Sequence, residues 1–319
     1  MALLGIDLGG TKLAAAVFTE NGEPASKEVI SLGGREGAEA GALITSTIKR
    51  LLNAYALEGS RIESIGISVP GIYRMWEGTV WAPNIKGWGN YPLLKEVTEV
   101  TDGLPVTIDS DRACYILGEM WQGNARGCRD AIFLAVGTGI GAGIMADGRI
   151  LRGAHDIAGA IGWLALDRPF RDEYVSCGCF EHNASGEGIA KVAREYLQKQ
   201  NEYTGELRAK RPEEITSHDV FAAYQSGDPL AATVIKRTIE FWGMAVANLI
   251  SLFNPDKIIL GGGIFGPAVF LIPEITREAA RWAQPISRGQ VTIVASALGG
   301  DAGVYGAGYL AREKYLSSL

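Results

Sequence analysis

The chain begins with an apolar run, Leu3-Leu4-Gly5-Ile6, that passes through Asp7-Leu8-Gly9-Gly10-Thr11-Lys12 and resumes as Leu13 to Phe18. Short apolar runs separated by a glycine pair read as two paired strands and a turn. Glycines let the backbone turn sharply and bring its N–H groups close to an anion, and Thr11 adds a hydroxyl donor. Asp7, at the strand end, is placed to orient a hydrated Mg²⁺. An ordinary hairpin would use the same residues, so this unit alone leaves phosphate binding open.

The unit recurs in the second half. Ala131 to Val136 reads as an apolar strand, Gly137-Thr138-Gly139-Ile140-Gly141-Ala142-Gly143 as a turn, and Gly143 to Met145 as the returning strand. Such a repeat predicts two similar lobes facing each other across a cleft. A third glycine run, Gly261-Gly262-Gly263, follows the strand Lys257 to Leu260. Two hairpins could clasp the phosphates of a nucleotide, and a glycine run opening a helix could accept its nucleoside. The candidate nucleotide contacts are Gly9, Gly10, Thr11, Lys12, Gly137, Thr138, Gly139, Gly141, Gly261, Gly262 and Gly263, with Asp7 for the metal.

Between these units, strands and helices alternate in the manner of an open α/β sheet. The pattern predicts a second strand pair over Asn21 to Ser31 and a helix from Glu36 to Tyr55. A buried strand from Ile62 to Val69, closed by Pro70-Gly71, comes next, then a short helix near Tyr91 to Val97. A strand from Val106 to Ile108 precedes a helix from Arg112 to Trp121. The glycine-rich Asp301 to Gly308 reads as a helix packed closely through its glycines. A length of 319 residues suits two such lobes. Their expected extents are 1–119 with 300–319 for the smaller lobe and 120–299 for the larger.

Charge narrows the partners. With 30 basic and 36 acidic residues the net charge is −6, which offers no electrostatic footprint for nucleic acid or an anionic membrane. No apolar run approaches the ~18 residues of a membrane span, and no charged region precedes the first strand, so a cytoplasmic protein is expected. Four cysteines, Cys114, Cys128, Cys177 and Cys179, do not make a disulfide framework in a chain this long.

Asp109-Ser110-Asp111 lies at a strand end and a helix start. Either aspartate could simply cap the helix. Alternatively, one carboxylate there would accept the proton of a hydroxyl attacking a γ-phosphorus. Spacing alone does not separate the two.

These motifs, together with Ala82-Pro83-Asn84-Ile85-Lys86-Gly87-Trp88 and the stretch from Asp111 through Gly118-Glu119, occur in the order and spacing of the ROK family of sugar kinases and repressors, which the chain resembles over essentially its whole length. The resemblance implies the actin-like ATPase fold of two ribonuclease-H-like lobes, ATP with Mg²⁺, and phosphoryl transfer to a sugar hydroxyl, the 6-hydroxyl of a hexose being expected. It implies Asp111 as catalytic base, Asn84 and Asp111 on sugar hydroxyls, Glu181 as a further sugar-binding carboxylate, and Gly71 lining the same site. It also implies a homodimer or higher homo-oligomer. The repressors place a winged helix-turn-helix before this core, and the first strand here starts too near Met1 for one to be expected.

Two departures stand out. Where the family carries Glu-x-Gly-His, whose Glu and His contact the sugar and whose His also ligates a structural zinc, this chain has Ala160-Ile161-Gly162-Trp163. The family's three-cysteine pattern is shortened to Cys177-Gly178-Cys179, so a tetrahedral zinc site lacks ligands and zinc is not expected. Trp163 is expected as a plug filling the vacated zinc region, with stacking on the apolar face of a sugar as the alternative. Trp76, Trp81 and Trp88 would flank the sugar or pack their loop. His182 is expected to be an ordinary polar residue beside Glu181, and His218 a surface residue or helix cap.

Overall fold

The computed structural model describes residues 1–200 and 202–318. The chain forms two compact units, Met1–Gly127 with Ile150–Ala158 and Gly300–Leu319, and Cys128–Arg149 with Gly159–Gly299.

The first unit opens with β1 (Ala2–Leu8), β2 (Lys12–Thr19) and β3 (Pro24–Ser31), followed by helix α1 (Gly37–Leu57) and strand β4 (Ile62–Val69). A small ribbon of β5 (Ile72–Arg74) and β6 (Thr79–Trp81), a short helix α2 (Leu93–Thr98), β7 (Val106–Ser110) and α3 (Asp111–Gln122) complete its main run. The sheet order is β3-β2-β1-β4-β7. β1 is antiparallel to β2 and parallel to β4, and β4 is parallel to β7. The segment expected as a second strand pair is the single strand β3. It pairs with β2 alone, as an edge strand, and most of its residues are exposed, so nothing remains to hold a further partner.

The second unit repeats that plan with β8 (Ala131–Val136), β9 (Ile140–Ala146) and β10 (Arg149–Ile150). Helices α4 (Cys179–Ala184), α5 (Gly186–Lys199), α6 (Ser217–Gln225) and α7 (Pro229–Phe253) follow, then β11 (Lys257–Gly261), α8 (Ile272–Trp282) and β12 (Thr292–Ala295). Its sheet runs β10-β9-β8-β11-β12. Again one antiparallel hairpin is followed by two parallel neighbours. The internal repeat read from the glycine turns therefore extends to the whole sheet of each unit, and the architecture is the actin-like ATPase fold of two ribonuclease-H-like lobes.

The C-terminal helix, Ala302–Leu316, returns to the first unit and packs across its sheet through glycines on both partners. A β-carbon at Gly66 would overlap the Ala307 carbonyl, one at Gly118 the Ala302 carbonyl, and one at Gly306 the Cys114 carbonyl. Backbones that approach this closely leave no room for side chains, which explains the glycine spacing in Gly303 to Gly308. Among the described residues no helix is long and apolar enough to cross a membrane.

Candidate functional site

In the first unit the candidate chemistry sits where β1 and β7 end. α3 begins at Asp111, and its cap is Ser110, whose hydroxyl accepts the Ala113 N–H at 3.5 Å. Neither aspartate is the cap of the helix, and the two differ in what else they bind. Asp109 is buried, accepts its neighbour's N–H from Ser110 and pairs with Arg152 at 2.5 Å. Burial pushes its carboxyl above the usual range, against the pull of Arg152.

Asp111 accepts the Arg112 N–H at 2.8 Å, and the Tyr115 hydroxyl lies at 3.4 Å from its other oxygen. Desolvation raises it to about 6, with the Asp7 carboxylate adding and Arg112 opposing. A carboxylate tuned to that range is ionised at neutral pH yet basic enough to take a proton. Asp7 is likewise raised by burial, opposed by Lys12 and reinforced by Asp301. It lies against the first turn of the C-terminal helix, where only a glycine, Gly303, leaves it space.

The first glycine turn closes with the Gly9 N–H donating to the Lys12 carbonyl at 2.8 Å. Neither Gly9 nor Gly10 has a positive φ, so the turn does not need glycine for its dihedrals. Gly10 needs it for space: a β-carbon there would come within 2.8 Å of the Asn84 amide nitrogen. Thr11 and Lys12 are exposed beside it, and so is Asn84. Gly71 does have the left-handed conformation, φ 84°, and its carbonyl accepts from the Arg112 guanidinium at 3.2 Å. In the first unit, then, the structure brings Gly10 against Asn84 and sets Asp7 near Asp111.

The aromatic loop divides. Trp88 is buried, stacked on Tyr91 at 4.4 Å, and donates to the Gly37 carbonyl, so it packs the loop. Trp76 is 95% exposed.

In the second unit, Gly139 lies under the Glu181 carboxylate, whose Oε2 accepts the Ile140 N–H at 2.6 Å. Burial raises the Glu181 carboxyl, while that hydrogen bond and the charge of Lys191 oppose it. The turn also meets α5: the Gly186 N–H donates to the Gly137 carbonyl at 2.8 Å, and Ser185 caps the helix by accepting from Gly188. A hairpin turn beside the N-terminus of a fourteen-residue helix is a favourable setting for an anion. The two open onto a cavity of about 420 Å³ lined by Gly137, Thr138, Gly186, Ser217, His218 and Gly263 among others.

Of the three glycines at and after the end of β11, Gly261 to Gly263, only Gly263 opens onto that cavity. Gly261 is buried where a β-carbon would strike the Phe133 ring, and Gly262, φ 89°, turns against the Val136 backbone. Gly141 lies inside β9 opposite Ala135. These three glycines serve packing and pairing, a role that glycine content alone does not distinguish from ligand contact. Gly186, Ser217 and His218 line the cavity with no glycine-turn pattern around them to mark them in the sequence.

Trp163 is 57% exposed, so it is not the plug expected for the vacated zinc region. Gly178, φ 85°, lies against the Gly162–Trp163 backbone, and the indole points away from the core. Cys177 and Cys179 are free thiols, and among the described residues no three His, Cys, Asp or Glu side chains group as a metal site. His182 is not an ordinary polar neighbour of Glu181: it is 5% exposed and neither ring nitrogen has a hydrogen-bond partner.

The ROK family profile matches residues 3–314. The glucokinase of Halalkalibacterium halodurans is 34% identical over 319 residues, 98% of this chain and 95% of its own length. A ROK family glucokinase from Streptomyces griseus, solved in complex with glucose and AMPPNP, superposes with a TM-score of 0.77 at 30% identity, covering 98% of this chain and 100% of that one. A ROK family transcriptional regulator, a homologue of the E. coli MLC protein, superposes with a TM-score of 0.85 at 28% identity, covering 98% of this chain and 78% of the regulator. With the family profile matched over residues 3–314 and a 34% identical relative covered almost end to end, the chain belongs to the ROK family.

Proposed function

We propose that this protein is an ATP-dependent sugar kinase that phosphorylates a hydroxyl, by expectation the 6-hydroxyl, of a hexose or hexose derivative. The observation that carries the reading is Asp111, a carboxylate spared from helix capping by Ser110 and raised by desolvation to about 6. Such a group accepts the proton of the attacking sugar hydroxyl. Asn84 and Asp111 hold sugar hydroxyls, Gly71 shapes the backbone beside them, and Glu181 is a further sugar ligand.

ATP, when bound, supplies the phosphoryl group. The second-unit cavity fits its polyanionic chain, because Gly137 and Gly263 leave open space where side chains would stand and α5 directs its N-terminus there. Gly9, Gly10, Thr11 and Lys12 are the corresponding first-unit contacts, and Gly139 and Glu181 keep the second turn in shape. Asp7 is the residue that would hold Mg²⁺, through water. Relatives named glucokinase support the activity.

A coupled ADP-release assay over hexoses, amino sugars, N-acetyl sugars and disaccharides tests this, run beside Asp111→Asn. Sugar-dependent turnover that disappears in Asp111→Asn is the expected result; turnover retained by that variant would remove Asp111 as base. Ala160 and Trp163, standing where the family has Glu and His, favour a second reading, a sugar or nucleotide sensor without turnover. Binding of nucleotide and sugar with no ADP release across the panel would establish it.

A further inference from the structure

The cavity beside the second glycine turn follows one face of α5, from Gly186 and Glu187 past Ala190 to Arg194. Eight residues of helix, about 12 Å, separate its two ends. The near end holds the hairpin turn and the N-termini of two helices, α5 capped by Ser185 and α6 capped by Thr216. Backbone N–H groups gathered there suit phosphates.

Arg194 marks the other end, and it is the one Lys or Arg among the described residues that line the cavity. Each nitrogen of its guanidinium is engaged. Nε donates to the Pro212 carbonyl at 2.9 Å, Nη2 to the Ile215 carbonyl at 2.7 Å and Nη1 to the Glu187 carboxylate at 3.0 Å. With its charge matched by Glu187, Arg194 is not poised as a phosphate ligand, and its role lies in what it holds.

What it holds is a short segment with few other ties. Residues 212–214 form a single exposed 3₁₀ turn, followed by the buried Ile215 and the exposed Thr216. The remaining hydrogen bonds of this stretch stay within it or run into α6. The Ile215 N–H donates to the Pro212 carbonyl, and Thr216 joins Asp219 in a capping box. Among the described residues, the hydrogen bonds that fasten it to α5 are the two from Arg194. Glu213, Ile215, Thr216, Ser217 and His218 from this stretch and the start of α6 line the same cavity. A planar guanidinium spans two carbonyls at a fixed spacing, which an ammonium group does not.

The geometry points to Arg194 as the residue that positions the nucleoside wall. By fastening residues 212–216 to α5 it sets the width of the cavity at the end away from the glycine turn, where the base and ribose of the donor lie. The assignment rests on the reading of this cavity as the nucleotide site of the proposed kinase.

Calorimetric titration of the full chain with AMPPNP and Mg²⁺, beside steady-state kinetics in ATP, compares the parent with Arg194→Met and Arg194→Lys. The first variant keeps the aliphatic stem and loses all three hydrogen bonds; the second keeps a cation for Glu187 without the fork. AMPPNP affinity is expected to fall at least tenfold in Arg194→Met and at least threefold in Arg194→Lys. KM for ATP should rise in step, with kcat at saturating ATP within threefold of the parent, whereas a merely less well folded enzyme loses kcat at unchanged KM. Arg194→Lys carries the test if Arg194→Met does not fold. Parent-like AMPPNP affinity in either folded variant, or a fall in kcat with KM unchanged, overturns the assignment and leaves the nucleotide reading standing. No binding of AMPPNP by the parent overturns both.

Discussion

Gly303, in the first turn of the C-terminal helix, lies so close to Asp7 that a β-carbon there would sit within 2.6 Å of the Asp7 carboxyl carbon. The last helix of the chain thereby sets the position of a carboxylate on its first strand. Gly303→Ala forces that carboxylate to rotate, which it can do, because it is the end of a side chain. Gly66→Ala meets the Ala307 backbone carbonyl, which cannot move without the helix. The expected outcome is a Gly303→Ala protein that melts within a few degrees of the parent but loses at least tenfold in sugar-dependent ADP release. Gly66→Ala should lose on the order of 1–3 kcal/mol or more of stability from overpacking. Denaturant melts and the coupled assay, run on both variants, check the contrast.

Asp111 makes activity and stability respond to pH in opposite directions. Burial pushes its native carboxyl up to about 6, from the 3.8 of an ordinary aspartate. The native state therefore binds more protons than the unfolded chain between those values, and the stability this group contributes at low pH is lost as pH rises through about 6. As the proposed base, Asp111 would work only when ionised, so turnover should rise through about 6 and level off above it. Asp111→Asn should abolish turnover and raise stability at pH 7.5, by about 1–3 kcal/mol for a two-unit difference, with little gain at pH 4. A flat pH–rate profile across 5 to 7 would contradict the assignment.

Asp109 tests burial of charge. Among the described residues its ion-pair partner is Arg152, contributed by a segment of the first unit distant in sequence. Arg152→Met would leave a buried carboxylate unpaired, at a cost on the order of 3 kcal/mol near neutral pH. Because burial already raises Asp109, protonation relieves the penalty on acidification. Thermal melts at pH 7.5 and 5 should show the larger loss at the higher pH; equal losses would mean that Arg152 acts through packing alone.

Trp163 and Glu181 should separate function from stability. With its indole 57% exposed, Trp163→Ala is expected to change stability by less than about 0.5 kcal/mol. If the indole stacks on the acceptor, KM for the sugar rises severalfold with kcat little changed. Glu181→Ala leaves the Ile140 N–H without its acceptor and should cost about 1–3 kcal/mol. Glu181→Gln keeps a carbonyl at that N–H, so it should restore stability while leaving sugar affinity weakened.

The sequence by itself determined the periodic and repeated parts of this protein. Ile62–Val69 forms the strand that its apolar run predicts, and α1 and α3 start within a residue of their expected beginnings, because hydrophobic spacing and caps are local properties. The doubled glycine hairpin announced the doubled sheet. Tertiary structure decided what each glycine and each polar side chain is for. Gly10 and Gly139 make room for Asn84 and Glu181, Gly261 makes room for Phe133, and all three look alike in sequence. Ser110, with extended backbone, takes the cap and leaves Asp111 as the first helical residue, a choice between adjacent residues that the sequence alone leaves open. Trp163 is left exposed and His182 is buried with neither ring nitrogen partnered among the described residues. Those outcomes depend on which backbone arrives from elsewhere in the chain, and burial, which sets the Asp111 carboxyl at about 6, is a property of that arrival.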